Sequence, residues 1–226
     1  MKKRIGMLIA VVCAAFLIAA AAGKDAKAES LGAANQPDQV VSAPSSGKIK
    51  AASSMSIDSL TTTDVGVEFN DGTYEKQVQL LNRSGKVIKT DTCYTYTTFS
   101  LSKNTVYYVR YREMDYDYAS GQTYYSSWSG KLGFCTAKFK LSLIRKGRKV
   151  KYKAPKVAGV KSFRIYVSTK SGSKYKKVKT LKPGKSFKIK KFRGKKIKKY
   201  KNYYWFATAK VNGSYVRCLS GYWWVY

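Results

Sequence analysis

From Ser54 to the C-terminus, large apolar or β-branched residues recur at every second position in short runs, and clusters of turn residues separate the runs. A period of two places one side of each run in a core and the other in water, which is the pattern of a half-buried β-strand. In the first half this predicts strands over Ser54–Leu60, Val65–Phe69, Tyr74–Leu81, Val87–Asp91, Tyr94–Ser100, Val106–Tyr116 and Tyr124–Thr136. Asn70-Asp71-Gly72, Arg83-Ser84-Gly85 and Ser120-Gly121 supply turns between them. The second half repeats the scheme over Lys140–Ile144, Lys149–Lys153, Ser162–Ser168, Lys174–Thr180, Ser186–Phe192, Asn202–Lys210 and Ser214–Tyr226. Asn212-Gly213 between the last two is a hairpin signal, because both residues tolerate the positive φ of a type I′ turn.

The halves also share local motifs. Leu101-Ser-Lys-Asn-Thr-Val-Tyr107 matches Ile197-Lys-Lys-Tyr-Lys-Asn-Tyr203, with the apolar residue and the tyrosine at the same separation. This spacing predicts a tyrosine corner: Leu101 or Ile197 plugs the end of a sandwich, and the hydroxyl of Tyr107 or Tyr203 bonds back to the chain. Phe163-Arg-Ile-Tyr-Val-Ser-Thr-Lys-Ser-Gly-Ser-Lys174-Tyr-Lys-Lys-Val178, Tyr107-Tyr-Val-Arg110, Tyr203-Tyr-Trp-Phe206 and Tyr124-Tyr-Ser-Ser-Trp-Ser129 extend the pattern. In these stretches the chain resembles the fibronectin type III modules found in tandem on secreted and surface proteins of Gram-positive bacteria. The resemblance implies an all-β fold of two tandem, immunoglobulin-like, seven-stranded β-sandwiches, over 52–138 and 139–226. It also implies adhesion, spacing of other domains or carbohydrate-proximal binding, with no catalytic residues to carry over. One departure is that Phe69 and Ala154 stand near the position where such modules carry a core tryptophan on the second strand.

Ahead of the strands, Lys2, Lys3 and Arg4 precede an apolar run from Ile5 to Ala22 that ends in small residues. Residues 1–28 therefore read as a secretory signal peptide, cleaved after Ala22 or Ala28 or retained as an N-terminal anchor. Residues 29–51 are too poor in large apolar groups to offset the entropy of ordering, so they form a disordered spacer. The expected location is secreted or at the cell surface.

Composition then narrows the chemistry. The 226 residues hold 44 Lys and Arg against 12 Asp and Glu, a formal charge of +32, and no histidine. Without imidazole there is no Ser-His or Cys-His pair, and the cysteines lack zinc spacing, so no catalytic site, metal or cofactor is expected. Glu68, Asp71, Glu75, Asp115 and Asp117 read as turn and strand-end acids, not as a catalytic pair. Residues 52–138 carry nine basic and nine acidic side chains, whereas 139–226 carry 28 basic and none acidic. Such one-signed charge leaves self-repulsion unrelieved and points to a polyanionic neighbour.

The densest basic stretch comprises Lys182, Lys185, Lys188, Lys190, Lys191, Arg193, Lys195, Lys196, Lys198, Lys199 and Lys201, the expected polyanion-binding residues. Lysine in place of arginine favours diffuse attraction over bidentate recognition. The partner classes that fit are anionic cell-wall polymers or sulfated glycans, with extracellular DNA as the rival and a purely structural spacer as the third reading. Tyr222, Trp223, Trp224 and Tyr226 offer a carbohydrate-stacking strip, since strict alternation cannot turn both tryptophans inward. Cys13 lies in the leader. Among the remaining three cysteines, Cys93 and Cys135 share the first module and are the expected disulfide, with three thiols as the alternative.

Overall fold

The computed structural model describes residues 53–144, 149–198 and 200–224. The expected signal peptide and spacer, Lys199 and Tyr226 lie outside these residues. The described chain is built from strands and turns. The first set is β1 (Met55–Leu60), β2 (Asp64–Phe69), β3 (Glu75–Asn82), β4 (Val87–Cys93), β5 (Tyr96–Ser100), β6 (Val106–Asp117), β7 (Gln122–Tyr125) and β8 (Leu132–Cys135).

These pair as a three-stranded sheet β1-β2-β5 and a four-stranded order β4-β3-β6-β8, with β7 on the far end of β6. Val65, Val67, Phe69 and Phe99 from one sheet meet Val78, Leu80, Val109, Tyr111 and Phe134 from the other in one buried cluster. Each such side chain contributes about 1.5–3 kcal/mol on burial, which is why the period-two positions face one another.

The second set repeats the plan. It comprises β9 (Lys140–Ile144), β10 (Lys149–Lys153), β11 (Val160–Ser168), β12 (Lys176–Leu181), β13 (Ser186–Ile189), β14 (Lys191–Phe192), β15 (Lys195–Lys196), β16 (Asn202–Val211) and β17 (Ser214–Trp224). Sheet β9-β10-β13 covers the order β12-β11-β16-β17. Three strands packed on four, in the same sequence order both times, is a fibronectin type III-like sandwich arrangement. Asn212 and Gly213 have φ of 47° and 87°, the type I′ geometry the sequence predicts.

Two predicted strands are interrupted. The run expected over Tyr124–Thr136 splits into β7 and β8, because serine hydroxyls take over part of the ladder. Ser126 Oγ accepts from Glu113 N at 2.9 Å, and Ser129 Oγ accepts from Tyr111 N at 3.0 Å. This leaves Trp128 free to lie over the guanidinium groups of Arg110 and Arg112, 4.3 and 4.8 Å from its ring centre. The run expected over Ser186–Phe192 likewise ends at Ile189, and Lys191–Phe192 turn back as the hairpin β14–β15.

The two sandwiches meet side by side. β17 runs parallel to β8, with Arg217 opposite Phe134, so that their larger sheets join into one of nine strands. Gly133 makes this approach feasible: a Cβ there would lie 2.6 Å from Val216 Cγ1 and 2.9 Å from Tyr108 Cε1. Arg217 Nη1 reaches the carbonyl of Ile57 at 2.7 Å. Val106, Cys135 and Ala137 consequently belong to the same buried cluster as Val216 and Cys218.

This register corrects the cysteine pairing. Three strand spacings of about 4.8 Å each separate β4 from β8. Cys93 also stands at the level of Lys76 and Glu113, while Cys135 stands opposite Val106, several residues farther along. A disulfide needs Cα atoms within about 7 Å, so Cys93 and Cys135 do not pair.

Candidate polyanion-binding surface

The corner of the second sandwich sets where the basic stretch lies. Ile197 is fully buried, and Tyr203 Oη accepts the Lys198 N–H at 3.0 Å. Tyr107 Oη accepts from Ser102 N at the same distance in the first sandwich, where Leu101 is half-buried against the core. With Ile197 and Tyr203 anchored, Lys195, Lys196, Lys198 and Lys201 stay exposed around the corner. Lys182 and Lys185 occupy the turn between β12 and β13, Lys188 is on β13, and Lys190 and Lys191 follow it into the hairpin. Arg193 is partly engaged, since its Nη2 donates to the carbonyl of Lys174 at 2.8 Å.

Register adds lysines that sequence proximity does not reveal. On the outer face of β9-β10-β13, Lys153 stands directly opposite Lys140, and Lys151 directly opposite Lys188. The hairpin contributes a third like pair, Lys191 opposite Lys196. Directly opposed Cβ atoms lie about 4.5–5.5 Å apart, and like charges there destabilise the sheet. No acid exists anywhere in 139–226 to offset them. None of these six ammonium groups makes a hydrogen bond or ion pair with another described residue.

Lys179 joins the cluster from the other sheet. Between the edges of β12 and β13 runs a shallow groove of about 240 Å³, lined by Val178, Phe187 and Ile189 together with Lys179, Lys188, Lys190 and Lys191. A groove lined by both apolar side chains and lysines suits a flexible anionic chain, whose charged groups meet the ammonium groups while its carbon skeleton meets the apolar residues.

The first sandwich uses its cations differently. Arg110 donates to Gln79 Oε1 through Nε and Nη2 at 2.9 and 2.8 Å, and Arg112 Nε donates to Gln77 Oε1 at 2.8 Å. Arg112 also lies 3.7 Å from the ring centre of Tyr125, and burial lowers its pKa. These guanidinium groups are structural.

The aromatic strip divides between core and surface. Trp223 is 5% exposed, stacks on Tyr203 at 4.2 Å and 13°, and donates its indole N–H to Tyr152 Oη. It is core, which removes it from the expected stacking set. Tyr222 and Trp224 point the other way and are 70% and 36% exposed, beside Tyr204 at 6.4 Å and Tyr200 at 6.2 Å. This row lies on the outer face of β12-β11-β16-β17, across the sandwich from the lysine pairs of β9-β10-β13.

Asp71 and Asp117 serve turns. Asp71 accepts from Thr73 N at 2.8 Å and Thr73 Oγ1 at 2.6 Å, and these bonds hold its carboxyl below the usual range. Asp117 accepts from Ala119 N at 3.0 Å and Ser120 Oγ at 2.9 Å. Among the described residues no three His, Cys, Asp or Glu side chains gather as a metal site.

No family model matches the chain, and no curated protein matches it. Among solved structures it is similar to a Fn3-like protein from Clostridium thermocellum, at 19% identity over 38% of this chain and 84% of that one, with a TM-score of 0.32. It is also similar to a segment of two fibronectin type III domains from chicken tenascin, at 14% identity over 76% of this chain and 98% of that one, again with a TM-score of 0.32.

Proposed function

We propose that the chain is a non-catalytic binding protein whose second sandwich associates with anionic envelope polymers. The observation that carries this reading is the register of like charges: Lys140 with Lys153, Lys151 with Lys188, and Lys191 with Lys196. A sequence selected only for stability or solubility would mix signs at directly opposed positions. A ligand that brings anions to this face turns the repulsion into attraction. The groove that Lys179 shares with the basic stretch supports an extended polymer over a compact anion.

The resemblance of the sequence to modules on Gram-positive surface proteins, together with the signal-like leader, favours phosphate-bearing wall polymers as that partner. Native walls and walls stripped of phosphate polymer should therefore be compared in co-sedimentation, with free DNA as competitor. The reading expects retention on native walls only. Equal retention on stripped walls would refute it, and displacement by trace DNA would transfer the lysines to nucleic-acid binding. The outward rings of Tyr222 and Trp224 favour a second contact on the opposite face, stacking on sugar rings.

A further inference from the structure

The contact between β8 and β17 brings together two thiols that polyanion binding does not use. Arg217 and Phe134 are partners in a parallel pair, so Cys218 and Cys135 come next on adjacent strands. Successive side chains alternate between faces, so both cysteines project to the side opposite Arg217 and Phe134. They are 1% and 0% exposed and belong to one buried cluster. Neighbouring strands lie about 4.8 Å apart. Disulfides span Cα separations of about 4.4–6.8 Å, so cysteines next to each other on adjacent strands lie within the range a disulfide can bridge.

We propose that Cys135 and Cys218 form a disulfide that fastens the last strand of the second sandwich to the last strand of the first. In forming it each thiol gives up one proton and one electron. The two electrons pass to a disulfide oxidant, such as oxidised glutathione or the disulfide of an exchange protein, which is reduced to its thiols. One cysteine thiolate attacks the oxidant to give a mixed disulfide, and the other displaces the leaving thiolate.

The surroundings set when this occurs. Burial first, and then the neighbouring Cys135 thiol, push Cys218 well above the usual thiol range. The attacking thiolate is therefore scarce once the strands have closed, and the bond forms while they are still coming together. After closure the same burial shields it from exchange. All three thiols are free in the structure, and Cys93, on β4, is held apart by the sheet order and keeps its thiol when the other two oxidise. The inference is independent of what the lysines bind.

The test is to refold the full reduced chain in a glutathione buffer that contains the oxidised form, block remaining thiols under denaturing conditions, and map peptides without reduction. The expected product is a linked peptide pair containing Cys135 and Cys218, lighter than the two free peptides by two hydrogens, with Cys93 blocked. Cys93→Ser should leave that link in place, which keeps the test informative even if substitutions at the buried pair impair folding. Cys135 and Cys218 both blocked after oxidative refolding, or a link from Cys93 to either partner in the parent chain, would overturn the proposal.

Discussion

Replacing Tyr203 by Phe isolates a single hydroxyl at the corner that presents the basic stretch. The ring is 3% exposed and stacks on Trp223 at 4.2 Å, contacts that phenylalanine retains. What is lost is the acceptor for Lys198 N–H at 3.0 Å, in a partly buried corner. Leaving such a donor unpaired costs about 1–2 kcal/mol. The melting shift then depends on how much of the chain unfolds together. A unit the size of one sandwich loses about 4–8 °C per kcal/mol, whereas one the size of both loses about 2–4 °C. Scanning calorimetry of the full chain therefore reads two things at once, the hydroxyl's contribution and whether the β8–β17 junction couples the sandwiches. Tyr107→Phe should behave alike through Ser102 N. A midpoint unchanged to within about 1 °C in both variants would refute the corner's role.

Further outcomes follow from the same geometry. Gly133→Val places a side chain against Val216 and Tyr108, should cost about 1–3 kcal/mol, and should raise hydrogen exchange in β17 more than in β11; equal protection would contradict the junction. Burial and the neighbouring Asp91 push the Cys93 thiol up to about 11, so its alkylation in the folded protein should be slow near neutrality and accelerate as the pH approaches that value. A plateau near pH 9 would show instead an ordinary, solvated thiol. Tyr222→Ala with Trp224→Ala should weaken glycan retention at constant melting temperature, whereas Trp223→Ala should destabilise by about 3–5 kcal/mol, and the reverse pattern would exchange their roles.

The fold was legible in the sequence wherever the information is local. Alternation marked the strands, Asn212-Gly213 marked the last hairpin, and the spacing of Leu101 to Tyr107 and Ile197 to Tyr203 marked both corners. Pairing between distant strands left no such trace. Lys140, Lys151 and Lys153 are scattered along the chain, and only the order β9-β10-β13 sets them beside Lys188. Cys135 and Cys218 likewise come together only because β17 docks on β8, a juxtaposition that shared module membership could not reveal. Parity required Trp223 and Trp224 to face opposite ways, but which faces inward depends on the indole reaching Tyr152. The interruption at Ser126 and Ser129 was hidden because serine hydroxyls replace backbone partners without changing the alternating pattern.

The central claim, that opposed lysines of the second sandwich hold a polyanion, is tested most directly by the salt dependence of binding. Affinity of the full chain for a purified phosphate-bearing wall polymer should be measured from about 50 mM to about 1 M salt, across which the screening length falls from more than 10 Å to about 3 Å. The parent should be compared with the chain carrying Lys140→Gln, Lys151→Gln, Lys153→Gln and Lys188→Gln together. For a flexible polyanion each neutralised phosphate contributes about 0.7 to the slope of log affinity against log salt, so removing four contacts should make the slope shallower by about 3 while melting is unchanged or improved. Affinity that ignores salt, or an identical slope in parent and variant, would contradict the account.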